Sequence, residues 1–202
     1  MIFQETPLHD AFVIDLDPKQ DERGFFARVW CEEELANHGL SSQLAQISIS
    51  YNRCRGTLRG LHYRVSPHEE TKLVRCVRGA MYDVIVDLRP GSASYLQWFA
   101  VTLTSDNRKS LYIPEGFAHG FQTLEDDTEV LYLISKPHRP VAERGVRWDD
   151  NAFGIVWPPV ESRIISDKDR NWPLYPLLED TCHSDDKRPP ADSAVLRKEE
   201  SR

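Results

Sequence analysis

The chain has 202 residues, which suits one domain, and its hydrophobic fraction of 40% is enough for a folded core and excludes a fully disordered protein. Its net charge of −7 argues against general nucleic-acid binding, although a phosphate-bearing small molecule can still bind a local basic cluster. The four cysteines show neither zinc-finger spacing nor a disulfide framework. Without a signal-peptide pattern or an apolar run of spanning length, the expected setting is cytoplasmic, with no membrane partner.

Short strands dominate the predicted secondary structure. Two strands are expected at 11–16 and 25–30, followed by a short helix at 31–37. Further strands are predicted, with turn residues between them, at 44–51, 57–63, 71–77, 80–88, 96–104, 109–113, 118–124 and 128–135. This pattern indicates an all-β chain, an antiparallel sandwich or jelly-roll barrel with a few short helices.

The last part of the chain changes in composition. Residues 149–175 combine several tryptophans and prolines and predict irregular or weakly helical structure. From 179 to 202 the chain is charged and poor in large apolar residues, so we expect a flexible tail there. The prediction is therefore one domain over 1–178 followed by that tail.

The segment 56–63 (GTLRGLHY), with Lys72 shortly after it, contains a candidate for proton chemistry. Arg59, His62 and Lys72 lie among strand-forming residues, so strand alternation can direct such side chains into one cavity. A base beside a guanidinium and an ammonium suits removal of a proton next to a carbonyl and stabilisation of the enolate oxygen. The alternative is a solvated basic surface.

Two more residues complete this candidate site. Asp169 is a possible partner that orients His62 and stabilises its imidazolium. Tyr132 alternates with apolar residues, which fits either a core tyrosine or a phenol across the cavity from His62. A base on one side and an acid on the other is what inversion at a carbon requires.

The segment 113–121 (IPEGFAHGF) fits the second cupin motif, P-x-G-x-x-H, in which the histidine is often a metal ligand. The metal-binding version also requires His-x-His and Glu in the first motif, whereas here His62 is followed by Tyr63 and Arg64. Cations near such a site oppose metal binding. We therefore expect no metal and no cofactor, and a role for His119 in hydrogen bonding to a substrate.

Together these motifs resemble the dTDP-4-dehydrorhamnose 3,5-epimerase family, often called RmlC, within the cupin superfamily. The resemblance extends from about Phe12 to Pro176 and includes the motifs at 23–26, 56–63, 72–74, 83–89, 113–121, 148–150, 157–158 and 166–169, with Tyr132. It implies a cupin-type jelly roll that forms a homodimer and needs no metal.

The resemblance also implies a role for each matching residue. His62 would be the base, Asp169 its partner, Tyr132 the acid, and Lys72 the group that stabilises the enolate oxygen at C4. Arg59 and His119 would position the sugar or the diphosphate. The other implied substrate contacts are an arm that reaches the neighbouring subunit's nucleotide and residues near the shared site, namely Arg23, Phe26, Gln46, Glu143 and Lys168.

Four positions depart from the family pattern. This chain has Arg28 where Glu is common, Ser48 for Asn, Arg64 for Gln and His138 for Tyr. The proton-transfer residues are unchanged, so the changes fall where base and sugar selectivity would be set. The added arginines predict a more cationic pocket.

The predicted function is an epimerase acting on a nucleotide-diphospho-4-keto-6-deoxysugar, of the dTDP-4-dehydro-6-deoxyglucose type, at C3, C5 or both. One alternative is a single-site epimerase or ketoisomerase acting on another nucleotide sugar. A second is a non-catalytic cupin that binds a sugar nucleotide, and a third is a metal-dependent oxygenase.

Overall fold

The computed structural model describes residues 1–176 of the chain. One antiparallel sheet contains, in spatial order, β1 (Ile2–Glu5), β2 (Phe12–Asp15), β10 (Ser110–Ile113), β7 (Lys72–Arg78), β12 (Thr128–Ile134) and β5 (Gln46–Asn52). The other contains β13 (Glu143–Gly145), β6 (Thr57–Arg64), β11 (Phe117–Thr123), β8 (Ala80–Asp87) and β9 (Trp98–Thr104), with β14 (Ile164–Ile165) parallel to β6.

The smaller elements lie outside these two sheets. A separate hairpin is formed by β3 (Lys19–Asp21) and β4 (Gly24–Phe26). In the described part of the chain the helices are α1 (Glu32–Asn37) and α2 (Asp167–Arg170), and Pro140–Ala142 forms a 3-10 turn. No helix within residues 1–176 is both long and apolar enough to cross a bilayer.

The core lies between the two sheets. Val74 and Val130 from the first sheet pack with Met81, Ile85 and Phe121 from the second. Val84 and Val86 point from β8 in the opposite direction, where a second cluster forms over the outer face of that sheet. Burial of each such side chain stabilises the fold by roughly 1.5–3 kcal/mol. The second sheet is thus covered on both faces, which explains why β8 is apolar at nearly every position.

This architecture confirms the predicted cupin-type jelly roll. The strands predicted from residue 44 to 135 correspond to β5–β12, and the predicted helix at 31–37 corresponds to α1. The strand predicted at 25–30 is wrong beyond Phe26. Its pairing with β3 ends at Lys19, and the preceding residue, Pro18, has no N–H to donate. Its two phenylalanines suggested a core strand, yet Phe26 is 78% exposed. The expected tail at 179–202 lies outside the described residues.

Candidate active site

A cavity of about 330 Å³ opens between the two sheets. Its wall is contributed by β5, β7 and β12 on one side and by β6, β11 and β13 on the other. Ten of the residues singled out from the sequence line it: Gln46, Ser48, Arg59, His62, Arg64, Lys72, His119, Tyr132, His138 and Glu143. Chemistry-bearing side chains from distant parts of the chain therefore meet in one place.

An irregularity in β6 allows both Arg59 and His62 to line this cavity. In a regular strand, residues three apart point to opposite faces. Here Arg59 pairs with Phe121 and His62 pairs with His119, so β6 has one residue more than β11 between these pairs. Gly60 lies in the bulge with φ of 120°, and a Cβ there would come within 2.5 Å of the Gly120 backbone. Simple alternation, as the sequence suggested, does not account for the arrangement.

His62 and Asp169 form a tight pair. His62 Nε2 lies 2.6 Å from Asp169 Oδ1, and since a carboxylate only accepts, Nε2 carries the proton and Nδ1 is free to act as a base. Asp169 lies in α2. The backbone N–H of Asp169 donates to Ser166 Oγ at 3.1 Å, which caps the first turn of the helix. Burial alone would raise the pKa of Asp169, but hydrogen bonds from His62, the Gly60 N–H and Trp172 lower it overall. The pair is therefore built to stabilise an imidazolium.

Trp172 supports this pair and was missed from the sequence. Its Nε1–H donates to Asp169 Oδ1 at 3.3 Å, and its ring meets the His62 imidazole edge to face at 6.4 Å. The ring packs directly on Gly145 of β13, where any Cβ would overlap it. Trp172 follows Asp169 by three residues, but its contacts with Gly145 and His62 depend on the tertiary fold and were not visible in the sequence.

His119 has a carboxylate partner of its own, Asp83. His119 Nε2 donates to Asp83 Oδ1 at 2.6 Å, and both side chains are almost fully buried. Asp83 Oδ2 makes no hydrogen bond with any residue in 1–176. A carboxylate in the middle of the mainly apolar strand β8 was the sequence signal for this residue, and it was overlooked.

Tyr132 approaches from the first sheet, opposite His62. Its ring meets the His119 imidazole edge to face at 6.2 Å. Burial and the Asp83 carboxylate raise the pKa of Tyr132, with Arg59 acting weakly in the opposite direction. The phenol therefore keeps its proton at neutral pH and can act as a proton donor.

Three charged side chains cluster beside Tyr132 on the cavity wall. Glu70 lies between Arg64 and Lys72, with Oε2 at 3.0 Å from Arg64 Nη1 and Oε1 at 3.3 Å from Lys72 Nζ. All three side chains are at least 87% buried. Arg64 Nη1 also donates to the Pro137 carbonyl at 2.9 Å. Glu70 was not identified from the sequence, and its charge means that Arg64 does not simply make the pocket more cationic.

The remaining cations differ in how far they are neutralised. Arg59 donates its Nε–H to the neutral amide oxygen of Asn52 at 2.8 Å, so its charge is not cancelled by that contact. Lys168, in contrast, donates to Glu143 Oε2 at 2.8 Å. Burial opposes ionisation of Glu143, but Lys168 and the neighbouring histidines lower its pKa overall. Arg59 is therefore the cation best placed to meet a phosphate.

Five predicted site residues do not line the cavity. Asp169 and Lys168 contact lining residues, His62 and Glu143 respectively, whereas Arg23, Phe26 and Arg28 have their contacts elsewhere in this chain. Arg23 pairs with Asp21 on the β3–β4 hairpin, and Phe26 on the same hairpin projects into solvent. Arg28 forms an ion pair with Glu34 at 2.6 Å. The implied contacts of Arg23 and Phe26 with the neighbouring subunit's nucleotide stay predictions, as does the substrate contact of Arg28.

No group of three or more His, Cys, Asp or Glu side chains within residues 1–176 is arranged to hold a metal ion. His62 and His119 are each paired through Nε2 with a carboxylate rather than with each other.

The sequence model of the dTDP-4-dehydrorhamnose 3,5-epimerase family matches residues 5–176. The chain belongs to this family. A dTDP-4-dehydrorhamnose 3,5-epimerase from Methanothermobacter thermautotrophicus is 42% identical over 184 residues, which cover 90% of this chain and 97% of that protein.

Solved structures agree with this membership. The Bacillus anthracis dTDP-4-dehydrorhamnose 3,5-epimerase, solved with TDP and PPi bound, has a TM-score of 0.82 and 40% identity, covering 86% of this chain and 99% of that one. ChmJ from Streptomyces bikiniensis, a 3′-monoepimerase solved with dTDP-quinovose, has a TM-score of 0.77 and 31% identity, covering 84% and 85%. The predicted class, a cupin-type deoxysugar epimerase, is thereby confirmed, while the roles of individual residues stay predictions.

Proposed function

We propose that this family member epimerises a dTDP-4-keto-6-deoxysugar by cofactor-independent proton transfer. The observation that carries the proposal is that His62, backed by Asp169, and Tyr132 line one cavity from opposite sheets. The C4 ketone acidifies the C–H bonds at C3 and C5. A base on one face and a protonated phenol on the other can then invert either carbon.

Each step in this proposal has a residue to perform it. His62 Nδ1 removes the proton from C5 or C3. The electron pair of that C–H bond forms a double bond to C4 as the π pair of the C4 carbonyl moves to its oxygen, giving an enolate. Lys72, on the cavity wall, stabilises the negative oxygen. Tyr132 donates its O–H proton to the opposite face as the ketone re-forms. The cycle closes when the His62 imidazolium releases its proton to solvent and the phenolate takes one up.

Substrate binding is proposed to use the cation and the polar side chains around the catalytic residues. Arg59, whose charge is not cancelled by Asn52, suits the diphosphate. The TDP and PPi in the related Bacillus anthracis structure support a nucleotide diphosphate ligand for this family. Gln46, Ser48, His119 and His138 line the space left for the sugar and base.

A homodimer with a shared active site is also proposed. On β5, Ile47 and Ile49 are each 60% exposed and point away from the cavity. Such exposure of two large aliphatic side chains on one face of a strand is unusual. Covering this face with a second copy would bury them. The exposed Phe26 on the β3–β4 hairpin is then available to reach the nucleotide of the other subunit.

The test is solvent exchange. The protein is incubated with dTDP-4-dehydro-6-deoxyglucose in D₂O, and NMR follows deuterium at C3 and C5 and the configuration of the product. We expect incorporation that is lost in His62→Ala. Absence of exchange with any nucleotide-diphospho-4-ketosugar, together with His62→Ala behaving like the parent protein, would refute the proposal.

The similarity to the monoepimerase ChmJ favours one specific second candidate, inversion at a single carbon. Product NMR separates the two, because only the double epimerase inverts both C3 and C5. A binding protein without activity would instead be stabilised by the sugar nucleotide without any exchange.

A further inference from the structure

The Arg64–Glu70–Lys72 cluster does more than fill one wall of the cavity. Its two contacts, at 3.0 and 3.3 Å, are at ion-pair distance, but neither has hydrogen-bond alignment. Glu70 Oε2 in particular makes no hydrogen bond within residues 1–176. Attraction between charges, rather than hydrogen bonding, therefore holds the cluster together. The effect of the cluster on the cavity depends on its net charge.

Lys72 alone beside Glu70 would be a poor stabiliser of an enolate. A carboxylate at 3.3 Å cancels much of the ammonium field at a point a few ångströms away. Arg64 restores the balance, because two cations around one carboxylate leave one net positive charge. One positive charge is what a single developing oxyanion requires.

Arg64 is also badly placed to serve the substrate directly. Its side chain is only 7% exposed, and Nη1 is already engaged by the Pro137 carbonyl at 2.9 Å as well as by Glu70. With nearly all of the side chain buried, little of the guanidinium is open to contact with a diphosphate. Its contribution to the cavity is therefore its charge.

We propose that Glu70 is a positioning residue that anchors Lys72 at the enolate oxygen, and that Arg64 serves to cancel the charge of Glu70. The inference rests on the proposed function, since it concerns stabilisation of the C4 enolate. It reassigns Arg64 from contact with the substrate to balance of charge within the site. It also explains why a carboxylate can lie beside Lys72 without cancelling its action.

The test is a double-mutant cycle on kcat and KM for deuterium exchange. Arg64→Gln leaves Glu70 and Lys72 with no net charge, so kcat should fall on the order of 10- to 100-fold with KM within about twofold of the parent. Glu70→Gln alone should lower kcat several-fold, because Lys72 loses its anchor and faces Arg64 unshielded. The double variant again has one net positive charge, so its kcat should exceed that of Arg64→Gln.

Two controls separate charge from structure. Arg64→Lys retains the charge and should keep kcat within a few-fold, and it also covers the case in which Arg64→Gln does not fold. Arg147→Gln removes an arginine from an exposed pair with Asp149 and should leave both constants unchanged. Circular dichroism and thermal melting of every variant establish that each is folded.

Three outcomes overturn the inference. Additive losses in the double variant would refute charge compensation, and a raised KM with unchanged kcat in Arg64→Gln would show instead that Arg64 binds substrate. Loss of activity in Arg64→Lys equal to that in Arg64→Gln would show that geometry, not charge, matters. An inactive parent protein would refute the proposed function itself, whereas an active parent with additive losses would refute only the role of the cluster.

Discussion

Replacing Asp169 with Asn tests the catalytic pair most directly. The change keeps the size of a side chain that is only 6% exposed but removes the charge that lies 2.6 Å from His62 Nε2. Hydrogen bonds to charged groups contribute about 1.5–3 kcal/mol, and this one strengthens when His62 becomes an imidazolium. Since each 1.36 kcal/mol changes a rate tenfold, kcat should fall roughly 10- to 150-fold.

The measurement is the initial rate of deuterium incorporation at C3 and C5 under saturating substrate, with KM determined in parallel. An Asn can also turn its NH₂ toward His62 and favour the wrong tautomer, which would take the loss to the upper end of that range or beyond it. KM should change little, because Asp169 lies behind His62 and does not line the cavity.

Asp87→Asn is the matched control. Asp87 is also a buried carboxylate with several donors, from Arg89, Ser92 and Ser94, but it lies away from the cavity. The Asp87→Asn variant should have a lower free energy of unfolding than the parent protein and an unchanged kcat. A kcat for Asp169→Asn within threefold of the parent, or an equal fall in Asp87→Asn, would refute the assigned role of the pair.

Three further results are expected. Tyr132→Phe should still exchange substrate protons through His62 but lose inversion, and NMR that finds normal inversion would contradict the acid role. Gly145→Ala should displace the Trp172 ring, at a cost of about 1–3 kcal/mol in denaturant unfolding, and lower kcat through Asp169. Burial raises the pKa of Asp87, but Arg89 and the serines lower it to about 2 overall, against an ordinary value of 3.8. The ionised carboxylate should therefore contribute about 2 kcal/mol to the free energy of unfolding above pH 3.8, and this contribution should disappear as the pH falls through 2. Asp87→Asn should abolish that part of the pH dependence and lower Tm by roughly 4–8 °C.

Much of the fold could be predicted from the sequence, because strands β5–β12 are rich in strand-forming residues and end at clear turns. The exceptions share a physical cause. β1 and β3 are short, and every residue of β3 is exposed. Their sequences therefore lack the alternation of apolar and polar residues that burial of one face produces. Within residues 1–176 the two phenylalanines of β4 remain largely exposed, at 46% and 78%, and their apolar character made an exposed hairpin look like a core strand.

The residues of the candidate site likewise divide into those that could be predicted from the sequence and those that could not. Residues carried by motifs, such as His62, Lys72 and His119, line the cavity as expected. The supporting residues Glu70 and Trp172 were missed, although they lie two residues from Lys72 and three from Asp169, because those spacings match no general motif and the orientation of the side chains depends on the fold. The role of Phe26 requires a second chain and stays a prediction.

The extra residue in β6 limits how this protein can change. Leu58 and Leu61 fill the cluster behind the sheet, and the bulge at Gly60 is what lets Arg59 and His62 both turn the other way. Deleting one residue there would exchange a cavity side chain for a core side chain, and no substitution elsewhere could reverse that exchange. Successful variants of this enzyme should therefore alter the cavity wall by substitution, while the length of this strand between Arg59 and His62 remains constant.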